Sequence, residues 1–151
     1  MKNSPETLWL ENQICFPLYA VSRMVTKLYT PLLDKLDITY PQYLVLLVLW
    51  EKDGRSVSEI SELLLLESNT LTPLLKRMEG KELIKRQRSA EDERRVEISL
   101  APKGNALQQE ALCIPQTIVD QFQDASLGLE EVVQLKQTLS TLMGVLKESD
   151  G

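Results

Sequence analysis

The stretch Ser56–Met78, SVSEISELLLLESNTLTPLLKRM, decides the fold. Its opening Ser56-Val-Ser-Glu59 has the form of a capping box: the serine hydroxyl accepts from the backbone N–H three residues on, and the glutamate reaches back to the serine's own N–H. A short helix from about Val57 to Leu65 follows. Leu66 and Glu67 interrupt it, and Ser68, Asn69 and Thr70 then offer caps for a second helix lasting until about Glu82. In that second helix Leu71, Leu74, Leu75 and Met78 fall at i, i+3, i+4 and i+7, which predicts its buried stripe. Two helices joined by a turn of a few residues make a helix-turn-helix.

At about 100° per residue, the face opposite the stripe carries Asn69, Thr72, Pro73 and Lys76, flanked by Thr70 and Arg77, with Ser68 at the start. Short polar and cationic side chains of this kind suit base edges and phosphates in a major groove. Pro73 is tolerated there if Asn69 or Thr70 is the cap, because it then lies in the first turn. Taken alone, Lys76 and Arg77 are equally well explained as the solvated side of an amphipathic helix. The next segment favours DNA. Leu83 to Arg88 and Arg95 to Leu100 read as two short strands, with Val96, Ile98 and Leu100 inward, joined by the polar Ser89–Arg94. This β-hairpin wing gathers Arg86, Arg88, Arg94 and Arg95, suited to an adjacent minor groove. Asp92 is expected to hold the Arg94 guanidinium as a bidentate partner.

Charge is segregated accordingly. The chain of 151 residues has a net charge of −5, yet Ser68 to Arg95 carries eight basic residues against five acidic ones. A local +3 inside a chain at −8 elsewhere suits one cationic face and an acidic, soluble remainder. Histidine is absent, which removes His-based acid–base catalysis, Ser/His/Asp triads and most zinc sites. No cofactor and no metal are expected. The longest apolar run, Tyr43 to Trp50, is far short of the roughly 18 to 20 residues of a membrane span, and MKNSPETLW lacks the apolar region of an export signal. A cytoplasmic chain with reduced thiols is expected.

Outside the helix-turn-helix, apolar residues recur at helical spacing from about Thr7 to Leu36, with Pro17 and Pro31 as kinks or starts. Ile38-Thr39-Tyr40-Pro41 breaks the pattern, and a buried helix runs from about Pro41 to Lys52, stopping at Asp53-Gly54. A long helix is predicted from Ala101-Pro102 to about Asp124, with Leu107, Ala111, Ile114 and Ile118 on one side. The last runs from Leu129 to Lys147, where Val132, Leu135, Leu139, Leu142 and Leu146 form a coiled-coil-like seam. That seam wants a partner helix, in the same chain or, as expected for a helix-turn-helix protein that pairs half-sites, in a homodimer. The predicted architecture is mainly α with a small β-hairpin wing. It is a single domain over 1–151: a winged helix-turn-helix core at about 37–100, and dimerisation helices at about 7–36 and 101–148.

Two cysteines remain, Cys15 and Cys113. A thiol reacts as its thiolate, which helix N-termini, cations and hydrogen-bond donors favour. If Pro17 lies in the first turn of a helix starting near Ile14 to Phe16, Cys15 sits at that N-terminus. If one helix runs through from Thr7, Pro17 removes the N–H that would bond Gln13 and kinks the backbone beside the thiol. Composition alone makes Cys15 a small buried apolar residue.

The segments Thr39-Tyr-Pro-Gln-Tyr-Leu-Val45, Val57-Ser-Glu-Ile60, Leu71-Thr-Pro-Leu-Leu-Lys-Arg-Met78 and Asp92-Glu-Arg-Arg-Val96 resemble the MarR family of winged-helix transcription factors, over nearly the whole chain. The resemblance implies a dimer built from the first and last helices, bound to a pseudo-palindromic operator on double-stranded DNA, usually as a repressor. Asn12-Gln-Ile-Cys-Phe16, Leu18-Tyr19, Thr26-Lys-Leu-Tyr29 and Tyr40-Pro-Gln-Tyr43 are similar to its organic-hydroperoxide-sensing (OhrR-type) branch. That likeness implies that Cys15 is oxidised by an organic hydroperoxide and that Tyr29 and Tyr40, grouped with Tyr19, serve its sulfur, Tyr29 and Tyr40 as hydrogen-bond donors. It implies a sulfenic acid that forms a disulfide with a second thiol, followed by release of DNA. Cys113 lies in the helix where relatives keep a resolving cysteine, though earlier than expected. It is the resolving thiol, or plain core with a low-molecular-weight thiol in that role. Pro17 departs from the pattern, standing where relatives have a small helix-compatible residue. Three competing readings are a MarR-type repressor answering a small aromatic ligand with Cys15 silent, a thiol peroxidase, and an acidic helical interaction module without DNA. The peroxidase reading lacks the βαβ framework that class wants.

Overall fold

The computed structural model describes residues 4–149, and the chain forms two compact units, Met1–Ala111 and Leu112–Gly151. In the first unit α1 (Cys15–Asp34) and α2 (Tyr40–Glu51) lead to β1 (Arg55–Ser56), α3 (Val57–Leu64), α4 (Ser68–Gly80), β2 (Ile84–Arg88), β3 (Val96–Leu100) and α5 (Pro102–Ala111). The second holds α6 (Ile114–Asp124) and α7 (Leu129–Ser149).

The centre of the first unit is α2, whose Gln42, Tyr43, Val45, Leu46, Val48 and Leu49 are all buried. Apolar side chains on nearly every side commit most of it to the interior, so α1, α3, α4, α5 and β3 pack around it and only Pro41, Leu47 and Glu51 are exposed. Its start is fixed by a second capping box: the Gln42 backbone N–H donates to the Thr39 hydroxyl (3.4 Å), and Gln42 Oε1 accepts from the Thr39 N–H (3.0 Å). Buried Gln42 is thereby satisfied. T-x-x-Q was legible as the same motif as S-x-x-E.

The helix-turn-helix forms as expected. Ser56 Oγ accepts from the Glu59 N–H at 3.1 Å and Glu59 Oε2 accepts from the Ser56 N–H at 2.6 Å. Leu65 closes α3 in the left-handed region, φ 53°; the Leu66 N–H then bonds the Ser61 carbonyl, and the Ser61 hydroxyl the Leu66 carbonyl. Leu71, Leu74, Leu75 and Met78 are buried. The cap of α4, however, is Glu67, without a side-chain bond. Pro73 is therefore the sixth helical residue and lies beyond the first turn, so the Asn69 carbonyl loses its usual i+4 donor.

Three further expectations need correction. The wing is part of a three-stranded sheet in the order β1-β3-β2, because Arg55 and Ser56 pair with Ile98 and Glu97; two residues are too few for a periodic signal. Residues before Cys15 form short 3-10 turns, Pro5–Leu8 and Leu10–Asn12, rather than the start of one helix. There Asn12 and Gln13 side-chain amides donate to the carbonyls of Glu6, Thr7 and Trp9, diverting them from a helical ladder. The helix predicted over 101–124 breaks at Leu112-Cys113, since Pro115 has no N–H for the Ala111 carbonyl.

In the second unit, Leu135, Leu142 and Leu146 of the α7 seam stay exposed. No helix among the described residues is long and apolar enough to cross a membrane.

Gly104 packs directly against backbone in the first unit. A Cβ there would lie 2.1 Å from the Leu83 carbonyl oxygen, and backbone cannot step aside as a side chain does. Gly104→Ala is expected to lose about 1–3 kcal/mol, read from urea unfolding. A second expectation concerns acid. Hydrogen bonds from Ser56, then the charges of Arg95 and Lys52, hold the Glu59 carboxyl below its ordinary value of 4.5. A carboxylate with a depressed folded pKa stabilises fully above its ordinary value, and that contribution is lost as pH falls through the folded value. The stability gap between wild type and Glu59→Gln should therefore shrink between neutral pH and well below 4.5; urea midpoints at the two extremes measure it.

Candidate functional site

On α4 the buried stripe turns the other side outward. Ser68, Asn69, Thr70, Pro73, Lys76 and Arg77 are exposed and Thr72 is half-buried. An open cleft of about 440 Å³ separates this helix from the wing, lined by Ser58, Thr72, Arg86, Asp92, Arg94 and Arg95 among others. Of the sequence-predicted residues, Thr72 of α4 and Arg86, Asp92, Arg94 and Arg95 of the wing are thus brought to one cleft, with one difference in chemistry. Asp92 Oδ1 accepts from the backbone N–H of Arg94 at 3.0 Å, not from its guanidinium, and the Asp92 carbonyl accepts from the Arg95 N–H. Asp92 shapes the wing tip as an Asx-turn.

The cations divide into two groups. Arg86 donates from Nε to Glu79 at 3.3 Å, while the other Glu79 oxygen takes the Arg86 backbone N–H at 3.0 Å. Arg95 pairs with Glu59 at 3.4 Å and with Glu97 at 3.8 Å. Lys76, Arg77, Arg88 and Arg94 are exposed and have no carboxylate partner among the described residues. Neither Glu59 nor Glu79 carries a sequence signal for this role; an S-x-x-E box gives no hint that its glutamate also faces a wing arginine.

The thiol lies elsewhere. Cys15 is exposed and is the first residue of α1, with Pro17 third, so the two alternatives for Pro17 resolve to a helix start. Of the first-turn N–H groups beside it, that of Phe16 is bonded to the Gln13 carbonyl at 3.3 Å, and Pro17 has none. Tyr19 follows one turn later, exposed, with the Arg23 guanidinium 5.5 Å from its ring centre. Tyr29 and Tyr40 are half-buried, ring centres 4.9 Å apart. Burial raises the pKa of both above 10.0, and the neighbouring Tyr40 raises that of Tyr29 further, so both keep their O–H at neutral pH. Tyr43 and Trp50 extend this aromatic row along α2.

The structure does not bring Cys15 to Tyr29 within one chain. Both belong to α1, fourteen residues apart, which at 1.5 Å per residue is about 21 Å along the axis. Cys113, also exposed, precedes α6 in the second unit. Among the described residues no group of three His, Cys, Asp or Glu side chains could hold a metal.

Comparison with known proteins adds to this geometry. A family model described as "Transcriptional regulator SarA/Rot" matches residues 27–111. The organic hydroperoxide resistance transcriptional regulator of Bacillus subtilis is 51% identical, over 99% of this chain and all of its own length. The structure of reduced AbfR bound to DNA, a Staphylococcus epidermidis protein, superposes with a TM-score of 0.74 at 36% identity, covering 97% of this chain and 99% of that one. Wild-type MarR from E. coli, at 24% identity, TM-score 0.68 and coverage of 86% and 96%, shares the fold. Similarity that runs the full length, through turns and wing alike, leaves one conclusion: the chain belongs to the MarR-type winged-helix transcriptional regulators, in the branch of the organic hydroperoxide resistance regulators.

Proposed function

We propose that this regulator is a cytoplasmic homodimer that represses transcription from a pseudo-palindromic operator and releases it when an organic hydroperoxide oxidises Cys15. The observation that carries the proposal is the separation along α1: an exposed thiol in its first turn, and a pair of protonated tyrosines about 21 Å further on. A phenol O–H can stabilise a thiolate only within hydrogen-bond reach, so Tyr29 and Tyr40 can serve Cys15 only across two copies. Regulators of this family are dimers, and α1 and α7 supply apolar surface for pairing: Leu18, Met24, Leu135, Leu142 and Leu146 are all exposed.

The chemistry balances without a cofactor. The Cys15 thiolate attacks the distal peroxide oxygen and the O–O bond breaks; sulfur keeps the OH as a sulfenic acid, and the departing alkoxide takes a proton from water to become the alcohol. A second thiol displaces water from it to give a disulfide. Cys113 or a low-molecular-weight thiol is that second group, and intact mass of the oxidised protein distinguishes them. Sulfur without its negative charge no longer holds the tyrosines, and the two DNA-reading units lose the spacing that matches successive major grooves.

DNA contact is assigned to the polar face of α4, Ser68, Asn69, Thr70, Thr72, Pro73, Lys76 and Arg77, and to wing residues Arg86, Arg88, Arg94 and Arg95, with Asp92 setting the tip. Support comes from AbfR, whose reduced and overoxidised forms are both described bound to DNA.

Cys15→Ser is expected to bind operator DNA with about wild-type affinity in gel shifts and to stay bound under cumene hydroperoxide. Release as ready as that of wild type would overturn the sensing role. The division of the cations gives a second expectation. Lys76→Ala should weaken binding to every duplex and lower the slope of log K against log salt by about 1. Arg86→Ala should lower it by clearly less, because Glu79 already neutralises that guanidinium. Fluorescence anisotropy at several salt concentrations separates the two.

A further inference from the structure

A row of aromatic side chains crosses the first unit from α1 to the base of the wing. Tyr29 lies against Tyr40 and Tyr43, with ring centres 4.9 and 5.9 Å apart. Tyr43 meets Trp50 edge-on at 6.3 Å. Steps of three and seven residues bring Tyr40, Tyr43 and Trp50 to one side of α2. At the far end the half-buried Trp50 donates its indole N–H to the Gly104 carbonyl of α5 at 3.0 Å, across 54 residues of sequence. Gly104 is the residue at which any Cβ would run into the Leu83 carbonyl, and that carbonyl also accepts from the Ala101 N–H at 3.0 Å. Leu83 immediately precedes β2, the first strand of the hairpin.

We propose that Trp50 is the positioning residue that carries the packing of the Tyr29–Tyr40 pair to the base of the wing. Close-packed interiors pass on a displacement rather than absorb it, and each joint in this row is tight. The rings are in contact, the indole bond is directional, and Gly104 leaves no gap at Leu83. A shift of α2 against α5 therefore either breaks the indole bond or moves Leu83 and the strand that follows. The inference rests on the reading that Tyr29 and Tyr40 answer the oxidation of Cys15.

The test uses the full chain and a duplex selected for tight binding to the reduced protein. Trp50→Phe keeps an aromatic ring and removes the donor together with part of the indole's bulk. With Cys15 oxidation by cumene hydroperoxide followed by intact mass, the readout is the ratio of oxidised to reduced Kd, which a mere loss of folding stability does not change. That ratio is expected to fall by about tenfold relative to wild type, the size of an ordinary coupling between sites. A wild-type ratio in Trp50→Phe overturns the proposal. A second measurement does not depend on that variant folding: the chain has two tryptophans, so Trp9→Phe leaves Trp50 as the sole indole emitter. Its emission should shift on oxidation, and an unchanged spectrum overturns the role of Trp50. Should wild type keep its DNA when Cys15 is oxidised, the sensing reading fails and this one with it. If wild type releases and Trp50→Phe releases equally, only this one fails.

Discussion

The constraint on which the rest of the molecule depends is that α2 has almost no side to give to water. A twelve-residue helix with six buried side chains can exist only inside other elements, so its burial dictates that α1, α3, α4, α5 and the wing assemble around it. Burying it also leaves its polar groups to be satisfied within the protein, which the Thr39–Gln42 box does at one end and the long-range Trp50–Gly104 bond at the other. The fixed centre lets α4 turn a polar face outward, because its leucines are already committed inward.

Local chemistry made much of this legible in sequence. The S-x-x-E box, the apolar stripe of α4 and the alternation around Ile98 each rest on a short-range rule, and each reappears at its expected place. What could not be read depends on partners distant in the chain. Nothing near Arg95 announces Glu59, 36 residues earlier. Nothing in a two-residue strand marks it as the third member of a sheet. Prolines were informative in position but not in consequence: Pro17 starts a helix, Pro73 sits inside one, and Pro115 accompanies a break. Which outcome prevails is settled by side-chain competition for carbonyls and by burial of the flanking face, neither of which lies in the proline itself.

The thiol illustrates the same limit more sharply. Composition files Cys15 with core residues, yet it is exposed in a first helical turn. Motif likeness pairs it with tyrosines, but the geometry of a single chain keeps Tyr29 a helix-length away. Sequence similarity can name the participants of a site without saying how many molecules supply them. Only the rise of a helix per residue, applied to α1, makes that number matter.

On the proposed reading the site is divided between two chains and so obeys mass action. Should the regulator be diluted below its dimer dissociation constant, lone chains would lack both the paired half-site geometry and the tyrosines that complete the thiol's surroundings, so binding and responsiveness would vanish together. No population would remain that grips DNA yet ignores peroxide. On that reading the length of α1 ties the response to protein abundance, and dilution yields chains that neither bind nor respond rather than a form that stays on DNA.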